Sequence, residues 1–404
     1  MSKNIWIIHE TASTPEVGYA GRWFYLSKYL SEMGHKIYLV SSSYSHVYRS
    51  PLEFNGDFLV QSINERFNFI WLKVPCYKDS FDKRRILNWF IFNNKLRLLP
   101  SIINDKPDFI VSSSPSPISS LGAIKLAKRF NAKFIFDVRD IWPLSLMQIG
   151  GYSKFNPFII FLSFVEKNAY KKSYKTTTPL ENAILHMKKK GLSANKFKCI
   201  ANGCDFEELD NPSPLSEEII NLVPKDKFVI GYCGTIGEAN GVEYLVKAAK
   251  LLQYNKNIYF VIVGNGKNKK DLQNIANNLK NIIFIDTIAK RTVQNMLKLF
   301  DICYFSLRNK KIFDFGISPN KIPEYLYSSK PVLYSYSGYG NDMIKFNFGF
   351  KIEAENENLL ADKILEISKI PRDVLIKMGK NAKQYALKNY SYKGLAKCFI
   401  ECIA

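Results

Sequence analysis

Apolar residues along this chain gather in short β-branched and aromatic runs, separated by longer segments in which they recur every three or four positions. The runs read as strands and the periodic segments as helices laid against them. In the first half NIWIIH, KIYLVSS, FNFIWL, DFIVSSS and KFIFDVR are the expected strands, and RWFYLSKYLSEMG and SPISSLGAIKLAKRF the expected helices. The alternation begins again at KFVIGYCG and runs through VEYLVKAAKLLQ, IYFVIVGNG, KDLQNIANNLK, IIFIDT, RTVQNMLKLF, ICYFSL, NKIPEYLYS and KPVLYS. Two such series predict an α/β chain of two doubly wound, Rossmann-like domains. The boundary is expected in CIANGCDFEELDNPSPLSEE, where Asn202-Gly203 marks a turn and prolines and acids interrupt the pattern. Residues 1–203 then form the first domain and 204–375 the second, with 376–404 as helices crossing back to the first. A cleft faced by both domains is the expected ligand site, because open sheets bind at the carboxyl ends of their strands.

Composition adds a partner class to this picture. A chain of 404 residues exceeds what one core usually serves, and 47% hydrophobic with 14% aromatic residues excludes disorder. The formal charge of +21, from 57 Lys and Arg, predicts an anionic partner: nucleic acid, anionic lipid or a phosphorylated substrate. The opening MSKNIWIIHE lacks a cleavable signal pattern, and no apolar run approaches the roughly 18 residues that span a bilayer. Seven cysteines without a CxxC pair, and histidines scattered at 9, 35, 46 and 186, predict neither a disulfide scaffold nor a metal site. The expectation is a cytoplasmic protein, soluble or peripheral at the membrane.

Five stretches carry candidate chemistry. Gly18 and Gly21, just before Arg22, follow the first strand and open a helix, so backbone can approach a ligand closely there; a plain glycine turn fits equally. At the end of a strand, Arg139 is placed to contact phosphate and Asp140 to accept from a sugar hydroxyl; alternatively Asp140 caps the next helix. Gly234 and Thr235 end the first strand of the second domain, where small residues let a phosphate sit against backbone amides, and Gly264 lies in a similar turn. In FGISPNKIPEYL, Ser318 reads as N-cap and Pro319 as the first helical residue. The amides near Asn320 and Lys321 then face an anion, while Glu324 takes a pair of hydroxyls such as a ribose. Ser318 and Lys321 also satisfy SxxK, but the companion motifs of serine acyl-transfer enzymes are absent. Finally, residues 81–99 mix aromatics with cations over a helix length, which suits either a helix at anionic lipid or an ordinary core helix with a basic face. The basic runs around Lys167 to Lys175 and Lys188 to Lys190 fit the same two readings.

Together these residues resemble the family 4 glycosyltransferases of the GT-B fold over nearly the whole chain. The resemblance rests on Gly18 to Arg22, Gly34-His35-Lys36-Ile37, Arg139-Asp140-Ile141-Trp142-Pro143, Ile200 to Asp205, Gly234-Thr235 and Ser318 to Tyr325. Arg-Asp-Ile-Trp-Pro and Ser-Pro-Asn-Lys are most similar to the bacterial subgroup building capsule and O-antigen units, which includes N-acetyl-fucosamine transferases. The resemblance implies metal-independent, retaining transfer of a sugar, such as an N-acetylated hexosamine or deoxyhexosamine, from a UDP-sugar. No cofactor is implied. The implied acceptor is an undecaprenyl-diphosphate-linked saccharide bound by the first domain, with peripheral contact to anionic membrane and a role in lipopolysaccharide or capsule synthesis. Glu324 falls on the second glutamate of the family's Glu-x7-Glu motif, a ribose ligand, whereas Gly316 stands where the first would be. The Arg and Lys-Gly common after the first strand of the second domain are replaced by Glu238-Ala239-Asn240-Gly241. Lys321 is then the expected diphosphate cation, with Lys290, Arg291 and Arg308 as looser candidates. The histidine common after the first domain's fourth strand is replaced near Arg139. Two rivals stay open: a nucleotide-sugar 2-epimerase on the same scaffold, and a basic nucleic-acid-binding protein.

Overall fold

The structure is a computed structural model that describes residues 2–79 and 82–404; Phe81, at the start of the aromatic and basic segment, lies outside it. The chain divides into two compact units. The first runs through Asn202 and takes in 315–317 and 392–404, and the second comprises 203–314 and 318–391.

Eight strands build the first unit: β1 (Asn4–Ile8), β2 (Lys36–Ser42), β3 (Phe58–Asn64), β4 (Phe67–Leu72), β5 (Phe109–Ser113), β6 (Lys133–Asp137), β7 (Lys175–Thr178) and β8 (Phe197–Cys199). Their order is β3-β4-β2-β1-β5-β6-β7-β8, parallel except for β3. In β1 Ile5 to Ile8 are all fully buried, because helices cover both faces of a parallel sheet and leave no polar side to alternate with. Ile7 registers against Leu39 on one side and Val111 on the other, so β1 is the strand from which the chain winds outward both ways. The strands β3, β7 and β8 were not expected from the pattern. β3 is an antiparallel edge whose side chains stay largely exposed, and β7 and β8 are too short to show a period.

The second unit holds β9 (Phe228–Cys233), β10 (Ile258–Val263), β11 (Ile282–Ile285), β12 (Ile302–Ser306), β13 (Val332–Ser335) and β14 (Gly349–Ile352), all parallel in the order β11-β10-β9-β12-β13-β14. Here the winding reverses between β9 and β12, which makes their carboxyl ends the position for a ligand.

The return to the first unit begins at Tyr392, later than the expected residue 376. Packing accounts for this. Gly379, in helix Arg372–Asn389, sits so close to the second unit that a Cβ there would lie 1.9 Å from the Ser329 carbonyl oxygen. By contrast, Leu395, Phe399 and Ile403 recur every four residues on the last helix and are buried in the first unit's core. Phe399 meets Trp23 edge-on at 5.3 Å and Tyr392 stacks on Tyr25 at 5.1 Å. Burial of Phe399 alone contributes about 2 kcal/mol.

Candidate active site

The second unit's switch point is built around Lys321. Its Nζ donates to the Tyr232 hydroxyl at 2.8 Å and to Asn240 Oδ1 at 3.4 Å, and lies 4.3 Å from the centre of the Tyr232 ring. Among the described residues no carboxylate pairs with it. Burial pulls its pKa down to about 8. The cation is therefore steadied by neutral dipoles and a π face alone, an arrangement that leaves its charge for an incoming anion. Gly234 is what lets the lysine come so near: its φ is +153°, and a Cβ there would stand 2.8 Å from Nζ. Gly264 backs that loop in turn, since a Cβ on it would fall 2.0 Å from the Gly234 carbonyl oxygen. Thr235 is exposed, and its carbonyl accepts from Tyr232 Oη at 2.6 Å and Asn240 Nδ2 at 3.0 Å, which fixes the loop after β9.

The helix that bears Lys321 begins later than expected. It spans Lys321–Tyr327 with Asn320 before it, so Ser318 and Pro319 precede the helix rather than cap and open it. Asn320 is already in a helical conformation with no side-chain cap bond, and Pro319 contributes its carbonyl to Ile322 N at 3.2 Å. Lys321 is thus the first helical residue. Glu324 follows one turn on, 6% exposed, and Lys290 donates to its carboxylate. The Glu324 carbonyl accepts from Gln294 Nε2 at 3.1 Å. Lys290 is therefore engaged with the expected ribose ligand. Arg308 is engaged too: it forms ion pairs with Glu243 and with Glu355 (3.2 Å) and lies over the Tyr244 ring. Lys290 and Arg308 thus each pair with carboxylates, whereas Lys321 pairs with none among the described residues.

In the first unit the structure separates two residues adjacent to expected ligand loops. Arg139 lies at the end of β6, and its NH1 donates to His9 Nε2 at 3.1 Å while its amide donates to Ser114 Oγ at 2.8 Å. His9 Nδ1 faces the Ser113 carbonyl at 3.4 Å, so the imidazole is neutral, with burial and then Arg139 holding its pKa down at about 3. Asp140 is exposed, and its amide also approaches Ser114 Oγ (3.3 Å). Arg22 corrects the expectation of an acceptor ligand, being 2% exposed. It donates to the Ala201 carbonyl and lies 3.6 Å from Asp137. Asp137 also accepts from Trp23 Nε1 (3.0 Å), Ser113 Oγ (2.8 Å) and Thr177 Oγ1 (2.7 Å). That network ties a helix to β5, β6 and β7, which is a structural task. Gly18 packs against Ser13, and Gly21 ends the loop before the helix Arg22–Glu32.

Gly316 has a local reason to be glycine. It takes φ +97°, and a Cβ there would stand 2.9 Å from the Glu181 amide nitrogen, so a glutamate at this position would be strained and crowded. The helix Arg84–Lys95 divides its apolar residues: Trp89 and Phe92 are buried, whereas Leu87 (57%) and Phe90 (40%) are exposed. Phe90 stacks on Phe161 at 6.0 Å, and the same helix, Pro157–Lys172, exposes Ile160 and Phe164. The helix thus has a core-facing side and an exposed side that still carries apolar residues. Among the described residues no helix is long and apolar enough to cross a membrane, and no cluster of three His, Cys, Asp or Glu is placed to hold a metal ion.

The holders of Lys321, namely Tyr232 and Asn240, and the His9 partner of Arg139 were not singled out from the sequence. A tyrosine inside a buried strand and a histidine after one carry no spacing signal.

Residues 216–385 match the family described as Glycosyl transferases group 1. The chain is 23% identical over 228 residues to the putative colanic acid biosynthesis glycosyl transferase WcaI of Escherichia coli K12, a match that spans 55% of each protein. The chain thus matches about half the length of that curated relative. Sucrose-phosphate synthase from Thermosynechococcus elongatus has the same fold over 99% of this chain and 98% of its own, with a TM-score of 0.74 at 14% identity. Anabaena HepE in complex with UDP and glucose is similar over 99% of this chain and 98% of its own, with a TM-score of 0.65 at 13% identity. The fold is GT-B along the whole chain. The family match covers residues 216–385, and the solved structures share the fold along the rest of the chain as well.

Proposed function

We propose that the chain is a retaining glycosyltransferase that moves a sugar from a UDP-sugar to a lipid-diphosphate-linked saccharide during synthesis of a surface polysaccharide. One observation carries the reading: Lys321, a cation with neutral partners only, held against the glycine loop at a doubly wound switch point. In the reaction the bond from the sugar's anomeric carbon to the diphosphate oxygen breaks, and its electron pair goes to the leaving UDP. The acceptor hydroxyl forms the new bond at that carbon on the same face, and its proton passes to the departing diphosphate oxygen. Charge grows on the diphosphate as the bond breaks, so Lys321 and the amides of the Gly234–Thr235 loop favour the transition state over the ground state. No metal is required by this scheme. Glu324 takes the ribose hydroxyls, with Lys290 giving way or bridging.

HepE, solved with UDP and glucose, favours UDP as the nucleotide, and the name of WcaI favours a polysaccharide product. The sugar is an N-acetylated hexosamine or deoxyhexosamine on the resemblance to N-acetyl-fucosamine transferases. Leu87, Phe90, Ile160 and Phe164, beside Lys167 and Lys171, supply an apolar and basic face for an anionic membrane surface, where such an acceptor resides.

The test is a panel of UDP-sugars, read by thermal shift and by UDP release with and without a lipid-diphosphate saccharide. One UDP-sugar should stabilise the protein, and its turnover should depend on the acceptor. No response to any nucleotide sugar would sink the reading.

A further inference from the structure

The second unit has a further cavity at the other end of its sheet, where the strands begin. It measures about 200 Å³, and its wall includes Val229 near the start of β9, Asp301 just before β12 and Lys330 just before β13. Along β9, Val229 and Gly234 are separated by roughly 17 Å at about 3.3 Å per residue, so a ligand held here leaves the Lys321 site open. Val223, Val229 and Phe300 give the wall a buried apolar part.

Its polar part is one-sided. Lys225, Lys227, Lys298, Lys330 and Arg372 share the wall with a single carboxylate, Asp301, which is already engaged. Asp301 Oδ2 accepts from the Val229 amide at 2.8 Å, and Oδ1 lies 3.4 Å from Arg372 NH2. Among the described residues none of the four lysines has a carboxylate partner. Lys298 donates to Asn295 Oδ1 at 3.1 Å and Lys227 stands over the Tyr259 ring at 5.2 Å, while the ammonium groups of Lys225 and Lys330 make no hydrogen bond. Lys330 is half-buried, and burial pulls its pKa down. It has given up part of its hydration without a bond in return. Five cations against one carboxylate leave four positive charges in excess. On an open surface water and salt screen such charges from one another; in a hollow with low-dielectric walls they add to a field that draws an anion.

That excess selects the ligand's chemistry. A carboxylate brings one negative charge, whereas a phosphate monoester brings nearly two and offers three acceptor oxygens. Lysines suit it, since each is a point charge with rotatable donors rather than the fixed fork that matches a planar carboxylate. At roughly 30 Å³ of liquid per water the cavity holds about seven waters, more than one phosphate group replaces. We propose that this cavity binds a phosphate or diphosphate group carried on an organic molecule, with Lys225, Lys227, Lys298 and Lys330 as its cations. A soluble phosphorylated metabolite and a phospholipid headgroup offer the same chemistry. The inference stands apart from the glycosyltransferase reading, because the cavity shares no residue with the Lys321 site.

The experiment is calorimetric titration of the full chain carrying Lys321→Gln with inorganic pyrophosphate, so that the switch-point cation does not contribute, and with acetate at matched ionic strength as control. Pyrophosphate should bind and acetate should not. Adding Lys330→Gln should lower the affinity about tenfold or more, as the loss of a charged contact does. If circular dichroism shows that Lys330→Gln does not fold, Lys225→Gln with Lys298→Gln, both at exposed positions, should still weaken binding several-fold. No binding, equal affinity for acetate, or affinity unchanged in these variants would overturn the proposal. Flotation with phosphatidylcholine vesicles, with and without phosphatidic acid, separates the two sources. Capture that needs both phosphatidic acid and Lys330 makes the phosphate a headgroup; pyrophosphate binding without such capture makes it part of a soluble ligand. Thermal shift of the wild type with UDP-sugars tests the transferase reading on its own, so either can fail alone.

Discussion

Lys321 Nζ and the Tyr232 hydroxyl are 2.8 Å apart, and the lysine stands over the same tyrosine's ring. The ammonium is thereby aimed without being neutralised, and burial holds its pKa at about 8. Below that pH the free protein presents a positive charge to a diphosphate; above it the charge is lost. UDP affinity should therefore be level up to about pH 8 and fall as much as tenfold per unit beyond it. Lys321→Gln should remove this dependence and lower kcat/KM by about 100-fold or more, in the range of a lost transition-state contact. Calorimetric titration of UDP between pH 6.5 and 9.5 checks the first part, and steady-state kinetics the second.

Two glycines near this lysine should respond differently to the same substitution. At Gly234 an added Cβ meets the flexible tip of Lys321, 2.8 Å away, so Gly234→Ala should displace the ammonium and weaken UDP binding more than it lowers stability. At Gly264 the Cβ would meet a backbone oxygen 2.0 Å away, which cannot swing aside. Gly264→Ala should cost about 1–3 kcal/mol in urea unfolding. Equal losses of stability in both would contradict this division.

Arg22 should prove structural. With Arg22→Met the Asp137 carboxylate stays buried without its cation, and stability should drop by about 3–5 kcal/mol. Adding Asp137→Asn should recover part of that loss, because the orphaned charge is gone. The folded fraction of the double variant should keep its acceptor KM; a raised KM at unchanged stability would return Arg22 to the ligand site.

His9 gives the folded state a measurable acid sensitivity. Its pKa is depressed to about 3 in the folded protein, so the unfolded chain binds the extra proton as pH falls below 6.5. The stability tied to His9 is therefore complete above pH 6.5 and is lost toward pH 3, by up to about 1.4 kcal/mol per unit. Glu10 acts in the opposite sense: its raised pKa of about 8 favours the folded state below pH 4.5, and this contribution is lost as pH rises through 8. The comparison that isolates His9 is wild type against His9→Gln. The difference in unfolding free energy should shrink between pH 6.5 and 4.

The exposed apolar residues of the helices Arg84–Lys95 and Pro157–Lys172 give a membrane prediction. Leu87→Glu with Phe164→Glu, at positions 57% and 66% exposed, should leave stability within about 0.5 kcal/mol. Co-sedimentation with anionic vesicles at low salt should fall several-fold. Unchanged sedimentation of the double variant would remove this face from the membrane contact.

The sequence by itself determined the two doubly wound sheets and the junction near Asn202-Gly203, because strand and helix periods are local and each βαβ unit repeats them. It also brought Lys321, Glu324, Gly234 and Gly264 forward as one group, since each lies at the end of a strand or the start of a helix. What it could not determine was which side chains are spent on one another. Arg22, Lys290 and Arg308 look as available as Lys321 along the chain, but tertiary contacts give each a carboxylate and leave Lys321 without one. The helix start slipped from Ser318 to Lys321 for a related reason: a cap is a matter of dihedral angles and hydrogen bonds, and residue type only biases them.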